Sequence, residues 1–135
     1  MFQGATSFNR VSSAWDVSNA INMAHMFYSA AAINGDISAW DVSSVTTTSF
    51  MFKWSGFNGD TNTWDVSSVT DMSGMFYSNK KFNNIISAWD VSSVTNMNQM
   101  FQGATSCNRV ISAWDVSNAI NMAHMFDSAA AMNVD

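Results

Sequence analysis

The chain of 135 residues contains no Leu, no Glu and no Pro, and it has a single cysteine, Cys107. Each absence excludes something. A bundle of long helices draws on Leu, Glu and Lys, so that class is removed. One thiol makes no internal disulfide framework and no cysteine-cluster metal site, and it leaves the redox compartment open. Charge is sparse at 11%, ten Asp against five Lys or Arg for a net −5, and among the basic residues only Lys80 and Lys81 adjoin. That pattern offers no electrostatic footprint for nucleic acid. No apolar run approaches the roughly 18 residues of a membrane span, and the N-terminus carries no basic, apolar, small-residue leader pattern. What the chain does have is 47% hydrophobic residues, with 11 Met, 10 Phe and 6 Trp. So aromatic a composition belongs to a folded chain.

The organising fact is a repeat. Trp-Asp-Val recurs at Trp15, Trp40, Trp64, Trp89 and Trp114, and Met-Phe at Met1, Met26, Met51, Met75, Met100 and Met125, a period of 25 residues with one 24-residue exception near Gly56. A fixed period in the range of about 20 to 50 residues marks units that bury their apolar faces by stacking on one another. The expected division is a single domain, 1–135, with coils 1–25, 26–50, 51–74, 75–99 and 100–124 and a partial coil 125–135. Within each coil the stretch typified by Asp36 to Val42 is rich in β-branched and aromatic residues and reads as a short parallel strand. The apolar residues that follow at threefold spacing, such as Val42, Val45, Thr48 and Met51, read as a short α or 3₁₀ turn. The expected fold is a right-handed, leucine-rich-repeat-like parallel β-solenoid of about five and a half coils, one strand and one helical turn per coil, with the Met, Phe, Trp and Val columns inward.

The run from Phe57-Asn58-Gly59-Asp60 through Trp64-Asp65-Val66-Ser67-Ser68-Val69-Thr70-Asp71-Met72-Ser73-Gly74-Met75-Phe76 resembles the unit of BspA-like leucine-rich repeat surface proteins. The resemblance runs the length of the chain. It implies a cell-surface or extracellular protein that makes adhesive or other protein contacts, and it implies no catalytic residues and no cofactor.

Column by column, the side chains divide into structural and functional candidates. Trp15, Trp40, Trp64, Trp89 and Trp114 are too large for so small a unit to leave outside, so a core role outweighs an exposed sugar-stacking strip. Trp54 stands outside that column, at the place held by Gly4, Ser29, Ser78, Gly103 and Ser128, and is the candidate contact residue. Asn9, Asn34, Asn58, Asn83, Asn108 and Asn133 read as a ladder of buried amides that satisfy backbone groups between coils. Asp16, Asp41, Asp65, Asp90 and Asp115 would repel if stacked about 5 Å apart. Two things offset such repulsion: capping of the amides that follow, or a bridging calcium ion drawing on neighbours such as Asp36, Asp60, Asn34 and Asn58. Capping is preferred, because no calcium-loop spacing is present.

His25 and His124 lie in equivalent places four coils apart, too far for one metal. Cys107 occupies a core column and reads as a buried thiol. The expected function is therefore a non-catalytic structural or adhesive repeat module. An ice- or mineral-binding face is the alternative, resting on a Thr row of only three members, Thr46, Thr70 and Thr95, and a calcium-stabilised surface array is another. Residues 1–36 and 100–135 differ at five positions, the mark of duplication within an array, and the chain begins at core-type Met1-Phe2 without a polar cap. Uncapped ends predict association with a protein partner, with further copies as an oligomer or filament, or with adjoining repeats.

Overall fold

The structure, a computed structural model, describes residues 1–10 and 13–132. Its coils are built from tight turns. Single i→i+3 backbone hydrogen bonds close Ile37–Trp40, Val42–Val45, Thr48–Met51 and Phe52–Ser55, and the same turns recur one repeat on at Thr61–Trp64, Val66–Val69, Met72–Met75 and Phe76–Asn79.

The expected β-solenoid with helical turns is not what forms. The described residues contain no helix and no continuous strand, and regular pairing is confined to four isolated parallel bridges, Asn22 to Thr47, Thr47 to Asp71, Asp71 to Asn96 and Asn96 to Asn121. The physical reason lies in the bonding. Residues 37–40 fold back as a turn, with the Trp40 N–H donating to the Ile37 carbonyl, so the segment expected as a strand is not extended. The threefold spacing of Val42, Val45 and Thr48 places successive turns, and their i→i+3 bonds never run on consecutively as a 3₁₀ helix requires. Parallel pairing falls instead on the segment assigned to the helical turn.

What joins one coil to the next is an alternation. Along 23–29, Met23, His25, Phe27 and Ser29 donate to the carbonyls of Thr47, Ser49, Met51 and Lys53 in the following coil, while Met26, Tyr28 and Ala30 donate three residues back within their own. The pattern repeats at 48–54, 72–78 and 97–103. It demands a left-handed residue twice per coil, first at His25, Phe50, Gly74, Gln99 and His124, then at Gly4, Ser29, Trp54, Ser78, Gly103 and Ser128. Most of these have side chains, and each costs on the order of 1 kcal/mol relative to glycine. At Gly74 the Phe50 ring uses the space a side chain would take: a Cβ there would stand 2.1 Å from Cε1 of Phe50, so the ring would have to move.

The interior is a set of stacked columns. Phe27, Phe52, Phe76 and Phe101 are fully buried and stack ring on ring with centroids 5.6–5.7 Å apart. Trp40, Trp64, Trp89 and Trp114 line the core beside them with Val42, Val66, Val91 and the Met columns. Each unit supplies one layer of every column, so burial depends on having a neighbour on each side. No helix among the described residues is long and apolar enough to cross a membrane.

Candidate functional site

The Trp column is tied to the backbone as well as packed. The indole N–H groups of Trp64, Trp89 and Trp114 donate to the carbonyls of Ile37, Thr61 and Ile86 in the preceding coil at 3.0, 2.9 and 3.1 Å. Trp40 is equally buried, and Trp15, in the first coil, is half-buried against the same core. These side chains are structural.

The Asn column is a ladder on the surface, not in the interior. The backbone N–H groups of Asn34, Asn58, Asn83 and Asn108 donate to Oδ1 of Asn9, Asn34, Asn58 and Asn83 at 2.8–3.0 Å. Asn9, Asn34, Asn58 and Asn108 are exposed and Asn83 is half-buried, because each amide reaches along the stack to the backbone N–H of the following coil rather than into the core. Asn133 lies outside the described residues. The Thr row makes a parallel set of bonds: Thr46, Thr70 and Thr95 each donate a hydroxyl to a carbonyl of the preceding coil. Their hydroxyl protons are therefore committed to the stack.

The Asp column folds back on itself. Oδ1 of Asp16, Asp41, Asp65 and Asp90 accepts both the backbone N–H and the hydroxyl of the Ser two residues on, and Oδ1 of Asp115 accepts the Ser117 N–H. These bonds hold the carboxyls of Asp16, Asp41, Asp90 and Asp115 below the usual carboxylate range. The neighbouring Asp16 works weakly against this at Asp41, as does Asp90 at Asp115. The bonds are local turns at i+2, so the carboxylates cap turns rather than helices. Among the described residues no three of His, Cys, Asp and Glu converge on a point where a metal ion would sit.

Cys107 is fully buried, and burial pushes its thiol up to about 11. His124 pairs with Asp127 on the surface at 2.7 Å. His25 stacks on Phe50 with centroids 5.3 Å apart.

That last contact belongs to a cluster that breaks the repeat. Trp54 is 49% exposed and has a left-handed backbone (φ 56°), a rare conformation for so bulky a residue. Tyr28 and Tyr77, from the coils on either side, stand edge-on to its indole at 5.3 and 6.1 Å. The Lys53 ammonium sits among these rings, 4.1 Å from the centre of Tyr77, 4.6 Å from Trp54, 4.8 Å from Phe50 and 5.6 Å from Tyr28. Partial desolvation lowers its pKa, and the electron-rich ring faces attract the charge. Sequence reasoning singled out Trp54 but missed the other members. The signal was present: Tyr28, Lys53 and Tyr77 share one column, and Trp54 follows Lys53 directly.

Comparison with known proteins adds one finding. No curated protein and no solved structure matches the chain. One family model matches twice, over residues 1–65 and again over 53–135, as expected of a domain made of tandem units. Those matches span the chain from end to end, and it belongs to the family described as Mycoplasma protein of unknown function, DUF285.

Proposed function

We propose that the chain is a non-catalytic contact module of the BspA-like surface type, whose stacked coils join it to further copies, to adjoining repeats or to a protein partner at the cell surface. One observation carries this reading. Val42, Val66 and Val91 are at most 3% exposed, whereas Val116 in the same column is 37% exposed. Met72 and Met97 are fully buried, whereas Met122 is 40% exposed. Ile120, between them, is 87% exposed, in the column where the interior coils carry the surface residues Thr46, Thr70 and Thr95. The fifth coil thus presents, uncovered, the Val and Met columns that the interior coils bury against a neighbour. Another apolar surface laid on Val116 and Met122 completes those columns and covers Ile120 beside them, each buried side chain contributing roughly 1.5 to 3 kcal/mol.

The chemistry of the titratable groups supports a role without catalysis. Cys107 is buried with a raised pKa, which makes it a poor nucleophile. The five Asp of the column are occupied as turn caps. The test is the mass in solution by light scattering over a concentration series. Mass should rise with concentration for the native chain and fall back for the Val116→Asp/Met122→Asp double variant. A 14.8 kDa monomer at every concentration, with no change on substitution, would defeat self-association through this face.

A further inference from the structure

The coil that is one residue short creates a groove. At its corner Gly56 lies so close to the preceding coil that a Cβ would meet the Ala31 carbonyl oxygen at 2.0 Å. Beside it lies a shallow, open groove of about 420 Å³ lined by Ala31, Trp54, Ser55, Gly56, Ser78, Lys80 and Lys81. The lysine pair is fixed from below. Asn79, fully buried, accepts the Lys81 backbone N–H at 3.0 Å and that of Phe82 at 3.1 Å, and donates through Nδ2 to the Phe57 carbonyl at 2.9 Å. The Ser106 hydroxyl holds the Lys80 carbonyl at 2.7 Å.

The charge distribution is the telling feature. The chain has a net charge of −5 and only five basic residues, yet Lys80 and Lys81 line the same groove as the half-exposed Trp54, Lys53 lies over the Trp54 indole, and no Asp lines the groove. An exposed lysine pair in the same groove as an aromatic side chain suits a ligand with an apolar face and a carboxylate or similar anion. Pyranose rings carrying carboxyl groups have both. Single-stranded nucleic acid fits less well. It asks for successive stacking platforms along a basic track, whereas the groove is lined by one aromatic ring, Trp54.

We infer that the Trp54 groove is a binding site for an acidic oligosaccharide, one sugar ring stacking on the Trp54 indole and its carboxylate pairing with Lys80 and Lys81. The inference rests on the contact-module reading and names the ligand class through which the module adheres. Trp54 is expendable to the fold, because Ser29, Ser78 and Ser128 hold the same left-handed place in other coils.

The test is titration of the isotopically labelled chain with hyaluronan hexasaccharide, followed at the backbone amide resonances of Ser55, Gly56 and Lys81, which line the groove and remain in the Trp54 variant. Saturable binding is expected, weakened at least tenfold in Trp54→Ser and at least tenfold in Lys80→Ala/Lys81→Ala, with both variants keeping the native unfolding midpoint. Maltohexaose, which has no carboxylate, should bind at least tenfold more weakly. No saturable shift, an unchanged affinity in Trp54→Ser, equal binding of maltohexaose, or tighter binding of a thymidine hexanucleotide would each overturn the inference. A null titration alongside a mass that still rises with concentration removes the glycan site and leaves the contact module standing. Saturable binding by a strict monomer does the reverse for self-association.

Discussion

Trp64→Ala is the substitution that most directly tests how the coils are held together. Trp64 is 4% exposed in the short coil 51–74, stacks on Trp40 with centroids 6.4 Å apart and planes within 3°, and touches Phe52 at the same separation. Its indole N–H also donates to the Ile37 carbonyl at 3.0 Å. That carbonyl keeps a second donor, the Trp40 N–H, so losing the indole does not orphan it, and the hydrogen bond accounts for about 1 kcal/mol. Removing the ring leaves a cavity between two coils, whose stacked neighbours collapse poorly because each is fixed by its own column. The expected loss is about 3 to 5 kcal/mol, a large part of the 5 to 15 kcal/mol typical of a domain. Trp54→Gly is the comparator. It gives up exposed ring contacts but relieves a left-handed backbone, and should change stability by less than about 1 kcal/mol. Urea unfolding followed by the fluorescence of the remaining tryptophans gives both values at a common slope. A loss below about 2 kcal/mol at Trp64, or equal losses at the two positions, would refute the assignment of inside and outside.

Three further outcomes follow from the polar groups. Thr61 lies fully buried in the column of Ile37 and Ile86, and its hydroxyl has no hydrogen-bond partner. Thr61→Val, nearly the same shape, should raise stability by about 1 to 2 kcal/mol; a lower unfolding midpoint would show that the hydroxyl is satisfied in solution. Asp16, Asp36, Asp41, Asp90 and Asp115 have folded-state pKa values held below the ordinary Asp value by their bonds to the following Ser. Their contribution to stability is therefore complete above about pH 4, near the unfolded value, and is lost as pH falls through the lowered folded values. Thermal unfolding should show a plateau from pH 7 down to about 5 and a decline below 4, and a midpoint that does not fall on acidification would contradict it. Cys107, with its thiol at about 11, should react with a disulfide reagent at pH 8 only as fast as the chain opens, and at the rate of a free thiol in denaturant; fast reaction of the folded chain would place the thiol at the surface.

The repeat register was legible in the sequence, and with it the difference between Trp64 and Trp54, since both rest on counting by 25 and 24. The means by which each coil closes was not. Apolar residues three apart serve a row of separate tight turns as well as one helical turn, and periodicity does not distinguish them. The left-handed positions were hidden for a related reason: glycine is their usual signal, yet His25, Phe50 and Gln99 occupy them here. The Asn ladder was readable as a ladder, but its exposure was not, because a side chain bonded to backbone can approach a turn from either side. The Lys53 cage needs three coils in register at once, and becomes visible only when their columns are superposed.

The same superposition shows where the symmetry of the array is spent. Four positions in and beside the short coil depart from their columns: Trp54 among glycines and serines, Gly56 at the missing residue, Thr61 among isoleucines, and Asn79 where other coils carry Ala5, Ala30, Ser55, Ala104 and Ala129. Asn79 ties the short corner to the coil that follows. Its side-chain Nδ2 donates to Ser55 Oγ and the Phe57 carbonyl, and its Oδ1 accepts the Lys81 and Phe82 N–H groups. A buried amide with both ends engaged fixes one geometry, and the geometry it fixes is the corner bearing Lys80 and Lys81 beside Trp54. That tie is polar, the left-handed position takes a tryptophan in place of the serine or glycine found in every other coil, and more than half of the molecule's positive charge lies within the same three coils. Trp54, Lys80 and Lys81 are exposed or half-exposed, and the proposed binding site draws on that surface.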